Sequence, residues 1–261
     1  MLKEPGKSAQ SKSYMWLYRT GGDAEHPIVL YDYRPDRKAK NAEEFLEGFS
    51  GYLHADGYQG YHKLRPDIRV VGCWAHARRK FDEAVKSLPK KEQAGCAALE
   101  GQAFCTKLFA IEAEIQDLSL EEKRKQRQGR AKPVLDALFS WAEEKRKVTP
   151  PKSALGKALH YLKEQRPYLV RYLEDGRLEI SNNRAERSIK PFVMGRKNWL
   201  FANTPAGARA SAVIYSLMET AKETGLDPYK YLLWALREAP KLFETDREWA
   251  KKLTPEHCIQ H

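Results

Sequence analysis

The chain has 261 residues, 42% hydrophobic and 31% charged, with a formal net charge of +11. That length can bury a full core in one large domain or two ordinary ones, and the plentiful acids exclude a disordered basic tail. The basic excess points to a polyanionic partner, nucleic acid before membrane, because neither a basic amphipathic helix nor a lipid anchor is evident. No apolar run of about 18 residues occurs, so no membrane partner is expected. Residues 1–7 lack the apolar core of a signal peptide. The cysteines Cys73, Cys96, Cys105 and Cys258 are sparse and irregularly spaced. They read as free thiols, and a cytoplasmic location is expected.

In chain order, the aromatic-rich run 14–20 predicts a strand ending at Gly21-Gly22. Residues 28–33 predict a second strand, joined to the first as a hairpin. A short helix over 42–49 follows, then a strand over 52–55 ending at Asp56-Gly57, a short helix from Tyr58, and a strand over 68–74. The helix over 77–88 carries Phe81, Ala84, Val85 and Leu88 on one face. This alternation predicts an α/β fold with a mixed sheet.

Beyond Pro89 the strand signal disappears. Phe104, Leu108, Ile111, Ile115 and Leu118 recur at helical spacing, and Leu155, Ala158, Leu159 and Leu162 make another apolar face. Between them, residues 121–132 hold six basic and two acidic side chains and read as a solvated link before Pro133 opens a helix. Near the C-terminus, Ile214, Leu217, Met218 and Ala221 predict an amphipathic helix stopped by Gly225. Asp227-Pro228 starts the next, with Tyr229, Leu232, Leu233 and Leu236 inward. The organisation expected is a core part over 1–88, a helical insertion over 89–176, the rest of the core with C-terminal helices over 177–240, and a charged tail over 241–261.

Two acids stand out. Asp56 follows a strand, where ligands of α/β sheets gather, although Asp-Gly is also an ordinary turn. Glu186 lies 130 residues later in Ser181-Asn182-Asn183-Arg184-Ala185-Glu186-Arg187, and residues 184–197 carry a net charge of +4. A carboxylate in a positive field suits a divalent metal beside a polyanion, whereas Asn183-x-x-Glu186 is equally a helix-capping pattern. Arg78, Arg79, Lys80, Arg184, Arg187, Arg196 and Lys197 are candidate phosphate contacts, and Trp199 and Phe201 candidate stacking platforms. Cys73-x-x-His76 has half the ligands of a zinc site, with Cys96 and Cys105 a loose match for the rest; otherwise Cys73 is buried and His76 caps a helix.

Six motifs in order carry a family resemblance: Trp16-Leu17-Tyr18-Arg19-Thr20-Gly21, Asp56-Gly57-Tyr58-x-Gly60-Tyr61, residues 72–81 around Cys73-Trp74-Ala75-His76, the Glu186 run, residues 195–201, and residues 217–222. With these the chain resembles the insertion-sequence-66 family of bacterial transposases. The resemblance implies a ribonuclease-H-like fold, DNA strand cleavage and transfer, and an Asp-Asp-Glu triad using Mg²⁺ (or Mn²⁺). It makes Asp56 the second acid and Glu186 the third, and both are then metal ligands. The implied partners are transposon ends and target DNA, with a homo-oligomer of the chain. Related eukaryotic transposases carry a similar Cys-x-x-His, which would set Cys73 and His76 near the site.

The first acid of this family sits in an Asp-Glu-Thr motif just upstream of the Trp-x-Tyr-Arg-Thr-Gly strand. Residues 1–15 contain no Asp; Asp23 falls in the following turn and Asp32 in the next strand. The chain therefore reads as an N-terminally shortened member lacking the first, central strand of its sheet, with catalysis by this chain alone not expected. The alternatives are a noncatalytic DNA-binding or subunit-interaction module, and a metal-dependent nuclease with a substitute acid.

Overall fold

The structure is a computed structural model that describes residues 12–199, 202 and 204–258, the Trp199 side chain excepted. In chain order the elements are β1 (Tyr14–Arg19), β2 (Val29–Arg34), α1 (Ala39–Phe45), β3 (Gly51–His54), β4 (Ile68–Val71), α2 (Trp74–Lys86), α3 (Lys90–Gln93), α4 (Ala97–Glu114), α5 (Leu120–Gln126), α6 (Lys132–Val148), α7 (Ala154–Leu169), α8 (Asn183–Trp199), α9 (Pro205–Glu223), α10 (Pro228–Thr245) and α11 (Trp249–Lys252). The α/β class is as expected. Among the described residues, however, the strands pair as two separate two-stranded sheets, not as one mixed sheet. The chain divides into two compact units, one of residues up to 41 with 184 onward, the other of residues 42–183.

In the first unit β1 and β2 form the expected antiparallel hairpin, with Leu17 opposite Tyr31 and Trp16 opposite Asp32. Alternation sends Met15, Leu17, Val29 and Tyr31 to one face, where they meet Ile189 and Phe192 of α8 and Ala212 and Tyr215 of α9. The outer edge of β2 is closed by a helix. Thr220 Oγ1 accepts from Val29 N–H and donates to Val29 C=O, both at 3.0 Å, and Ser216 Oγ accepts from Tyr31 N–H at 2.8 Å. The match is geometric: four residues of helix rise about 6 Å, and two residues of strand about 6.6 Å. Hydroxyls one turn apart therefore reach alternate backbone groups of a strand.

Two predicted faces are met in part, at Leu217 and Ala221 of α9 and at Leu232 of α10. On α9, Ser216, Glu219 and Thr220 are buried with Ala221, while Ile214 is exposed. On α10, Tyr231 and Ala235 face inward, whereas Tyr229, Leu233 and Leu236 are exposed, Leu236 by 67%. Tyr231 fixes the rotation by donating its OH to Leu253 C=O at 2.7 Å. The helix ends were legible: Gly225 has φ +80° after α9, and Asp227 Oδ1 accepts from Tyr229 and Lys230 N–H.

In the second unit β3 and β4 are parallel, and Ala55 N–H extends the ladder to Val71 C=O at 2.9 Å. Parallel pairing puts the residues after both strands at one edge. Beside it, Trp74, Phe81, Leu108, Ile115, Leu135, Leu138, Leu159, Leu162, Leu169 and Tyr172 form a continuous buried core from α2, α4, α6, α7 and the turns that follow α4 and α7. The seam Leu108, Ile111 and Ile115 is as predicted, although Leu118 is exposed.

The run 121–132 is mostly solvated, as expected, and Pro133 stands in the first turn of a helix, but the run is helical and not an irregular link. Ser119 starts α5 with a capping box to Glu122, and a π-helical turn, Arg127–Ala131, leads into α6. Arg127 is buried, 3% exposed, because Glu112 of α4 neutralises it. It also donates to the carbonyls of Tyr172, Asp175 and Leu178.

Candidate functional site

Asp56 is half-buried just past β3, at the carboxyl edge of the parallel pair. Its Oδ1 accepts from Tyr58 N–H at 3.0 Å, so the Asp-Gly turn is real and one carboxylate oxygen is used in it. Gly57 has φ +82°, and a Cβ there would lie 3.0 Å from Gln165 Oε1 and 3.1 Å from Tyr161 OH of α7. Gly60 is pressed under the Tyr58 ring, which packs edge-on against Tyr61 with centroids 5.6 Å apart. The motif wording thus has a packing cause: glycines let two aromatic rings and α7 close on the turn that carries Asp56.

Gly57→Ala is expected to lower stability by about 1–2 kcal/mol, the cost of a left-handed residue with a side chain. Denaturant unfolding checks this, and an unchanged midpoint would contradict it.

Cys73 is fully buried at the N-cap of α2 with His76 in the first turn, at the same carboxyl edge. The N-cap residue Cys73 makes no side-chain capping bond to this helix. Instead Asn182 N–H donates to Cys73 Sγ at 3.4 Å, which ties the start of the Ser181-Asn182-Asn183 run to this edge. Burial pushes the Tyr161 phenol well above its usual range, with further rises from Cys73 and Asp56 and a lowering by Arg79. The Tyr161 hydroxyl thus stands beside the Asp56-Gly57 turn. His54 on β3 bonds Gly72 C=O through Nε2 at 2.9 Å, and burial holds its pKa below the ordinary histidine value. Tyr161 and Gln165 were missed from the sequence, where nothing in α7 distinguishes them from a helical surface.

The basic candidates of α2 separate by their contacts. Arg78 lies over the Phe109 ring at 5.9 Å, and Lys80 pairs with Glu83 at 3.3 Å. Arg79 is exposed, and its charge lowers the Tyr161 pKa slightly against the larger effect of burial.

Glu186 belongs to the other unit, half-buried in the first turn of α8. The helix begins at Asn183, so the predicted cap is itself the first helical residue. Ser188 is buried behind this turn, and Tyr31 OH donates to its carbonyl. Arg19 of β1 reaches the same turn: Nη1 donates to Ser188 Oγ at 2.6 Å and to Arg184 C=O at 3.5 Å. Both its terminal nitrogens also donate to the Glu223 carboxylate, at 3.2 and 2.8 Å. Arg187, Lys190, Arg196 and Lys197 are exposed along α8. The Trp199 side chain and Phe201 lie outside the described residues.

Among the described residues no group of three or more His, Cys, Asp or Glu side chains comes together that could hold a metal ion. Asp56 and Glu186 offer the hard oxygen donors Mg²⁺ prefers, but two acids do not make a complete site. Zinc at Cys73 and His76 is likewise without a ligand cluster, and all four cysteines are free thiols. No helix among the described residues is long and apolar enough to cross a membrane.

Comparison with known proteins agrees with the motif order. Three uncharacterized proteins of Sinorhizobium fredii are similar: y4qI is 34% identical over 243 residues, y4jD 33% over 241, and y4hP 30% over 235. These alignments cover 87%, 88% and 84% of this chain, but 44%, 46% and 43% of the relatives, so the chain spans less than half their length. No solved structure matches it. The family model described as "Transposase IS66 family" matches residues 1–210, and the chain belongs to that family.

Proposed function

We propose that this chain acts in DNA transposition, engaging DNA through the basic face of α8 and Arg79, with Asp56 and Glu186 as two acids of an Asp-Asp-Glu site. The carrying observation is the edge where Asp56 stands. The Asn182 backbone is anchored there on Cys73, and Glu186 follows Asn182 by four residues of sequence. A ribonuclease-H-like sheet is the fold reading that goes with this.

Neither Asp23 nor Asp32 serves as the remaining acid. Asp23 is exposed in the hairpin turn. Asp32 accepts from Arg34 Nε at 2.6 Å and alternates to the face of β2 opposite Tyr31, away from α8. Strand transfer accordingly needs a further carboxylate, and this chain alone is expected to bind DNA without cutting it.

The test is duplex-DNA binding across a salt series, with nicking measured in Mg²⁺ and Mn²⁺. Binding is expected to weaken steeply with salt, and Arg184→Ala with Arg187→Ala to flatten the slope by about 2. Asp56→Ala and Glu186→Ala should leave that slope unchanged, since neither acid neutralises a phosphate. Salt-insensitive binding would sink the DNA reading. Nicking abolished by either acid substitution would show that a different carboxylate completes the site.

A further inference from the structure

Arg19 is 6% exposed, too enclosed to be a phosphate contact itself, yet it spends a full guanidinium on one turn of α8 and one acid of α9. Its partner Glu223 is 32% exposed and stands at the border of the basic row: Arg184 Nη1 is 4.0 Å from Glu223 Oε2. A cleft of about 610 Å³ opens here, lined by Arg19, His26, Arg184, Glu223 and Glu256 among others. Glu223 is therefore an acid within reach of Arg184, one of the arginines that the DNA reading requires. Its pairing with Arg19 is bidentate, at 3.2 and 2.8 Å, whereas its contact with Arg184, at 4.0 Å, is at the limit of an ion pair.

We infer that Arg19 is a positioning residue for DNA binding: by holding the Glu223 carboxylate and the first turn of α8, it keeps that acid from capturing Arg184 and Arg187. This rests on the DNA-binding reading above. Two physical points support it. The Arg19 guanidinium is the largest influence holding the Glu223 carboxyl below its usual range, with smaller contributions from Arg184 and Arg187. And the hydrogen bonds to Ser188 Oγ and Arg184 C=O fix the backbone from which both arginines project. Without Arg19 the carboxylate keeps its charge and turns to the nearest remaining cations, which then meet phosphate already paired.

The experiment measures affinity of the full chain for mixed-sequence duplex DNA over a salt series, with thermal unfolding of every variant. Arg19→Ala is expected to weaken binding about fivefold or more and to flatten the salt slope by about 1, although the residue is buried. Arg19→Ala with Glu223→Gln should return affinity to within about threefold of the parent, because the competing charge is gone. Arg19→Lys, which keeps the charge but not the two-toothed grip, should fall between, and Glu223→Gln should restore it too. If Arg19→Ala does not fold, the lysine pair carries the same contrast.

Affinity unchanged in folded Arg19→Ala overturns the inference, and so does a double variant as weak as the single. If Arg184→Ala with Arg187→Ala leaves binding untouched, the interface reading itself has failed and takes this one with it. If that pair weakens binding and Arg19→Ala does not, the inference alone falls.

Discussion

Arg127→Ala is expected to destabilise the second unit by about 3–5 kcal/mol, the usual result of removing one partner of a buried ion pair. Few single side chains are so fully used. Nε and Nη2 donate to the two Glu112 oxygens at 2.9 and 2.6 Å, and Nη1 and Nη2 donate to Tyr172, Asp175 and Leu178 carbonyls at 2.8–2.9 Å. The guanidinium also lies over the Tyr172 ring at 5.3 Å. Truncation leaves Glu112, only 13% exposed, without its countercharge, and three carbonyls without their donor. A loss of that size is a large part of an ordinary domain's stability. Arg127→Lys is expected to recover little, because one ammonium cannot reach two carboxylate oxygens and three carbonyls. Arg127→Met combined with Glu112→Leu should recover most of the loss, since it removes both charges together. Urea unfolding decides the matter; a loss below about 1 kcal/mol for Arg127→Ala would mean the clamp is not holding the segment.

The second large effect is expected at Trp74, which is fully buried at the start of α2. Its indole Nε1 donates to Leu169 C=O at 2.9 Å, its backbone N–H donates to Ile180 C=O at 3.1 Å, and its ring packs beside Phe139. Trp74→Ala opens a cavity in the core and is expected to cost about 3–5 kcal/mol. Trp74→Phe keeps most of the volume and loses the donor, so it isolates the unsatisfied carbonyl at about 1–3 kcal/mol. Hydrogen exchange at Ile180 and Ser181 should rise in both, because Trp74 connects the end of α7 to the segment that leads into α8. Equal costs for the two substitutions would show that the hydrogen bond, not the packing, dominates.

What the sequence disclosed, and what it hid, divides along the line between local and distant causes. The hairpin was legible because Trp16, Leu17 and Tyr18 alternate against Val29 to Tyr33 with a glycine turn between. The caps at Gly225 and Asp227 were legible because each acts on its own neighbours. Asp56 at a strand end was legible as well, and the glycines around it have packing reasons. Arg127 was hidden in a charged run because its neutralising acid lies 15 residues upstream on another helix. The α9 face was read only in part, right at Leu217 and Ala221, because hydrophobicity alone cannot show that Ser216 and Thr220 turn inward to serve a strand 185 and 191 residues away. Arg19 was visible as one letter of a motif, but its connection to α8 and Glu223 exists only in three dimensions.

The hydroxyl seal on β2 has a consequence for how this hairpin can enter a larger sheet. Val29 N–H, Val29 C=O and Tyr31 N–H already spend their outward-facing bonds on α9, so that stretch of the margin is occupied. A strand recruited to β2 would have to displace α9 from these groups, which restricts pairing at this margin. Ser216→Val with Thr220→Val would remove that restriction while leaving the sequence of the strands untouched.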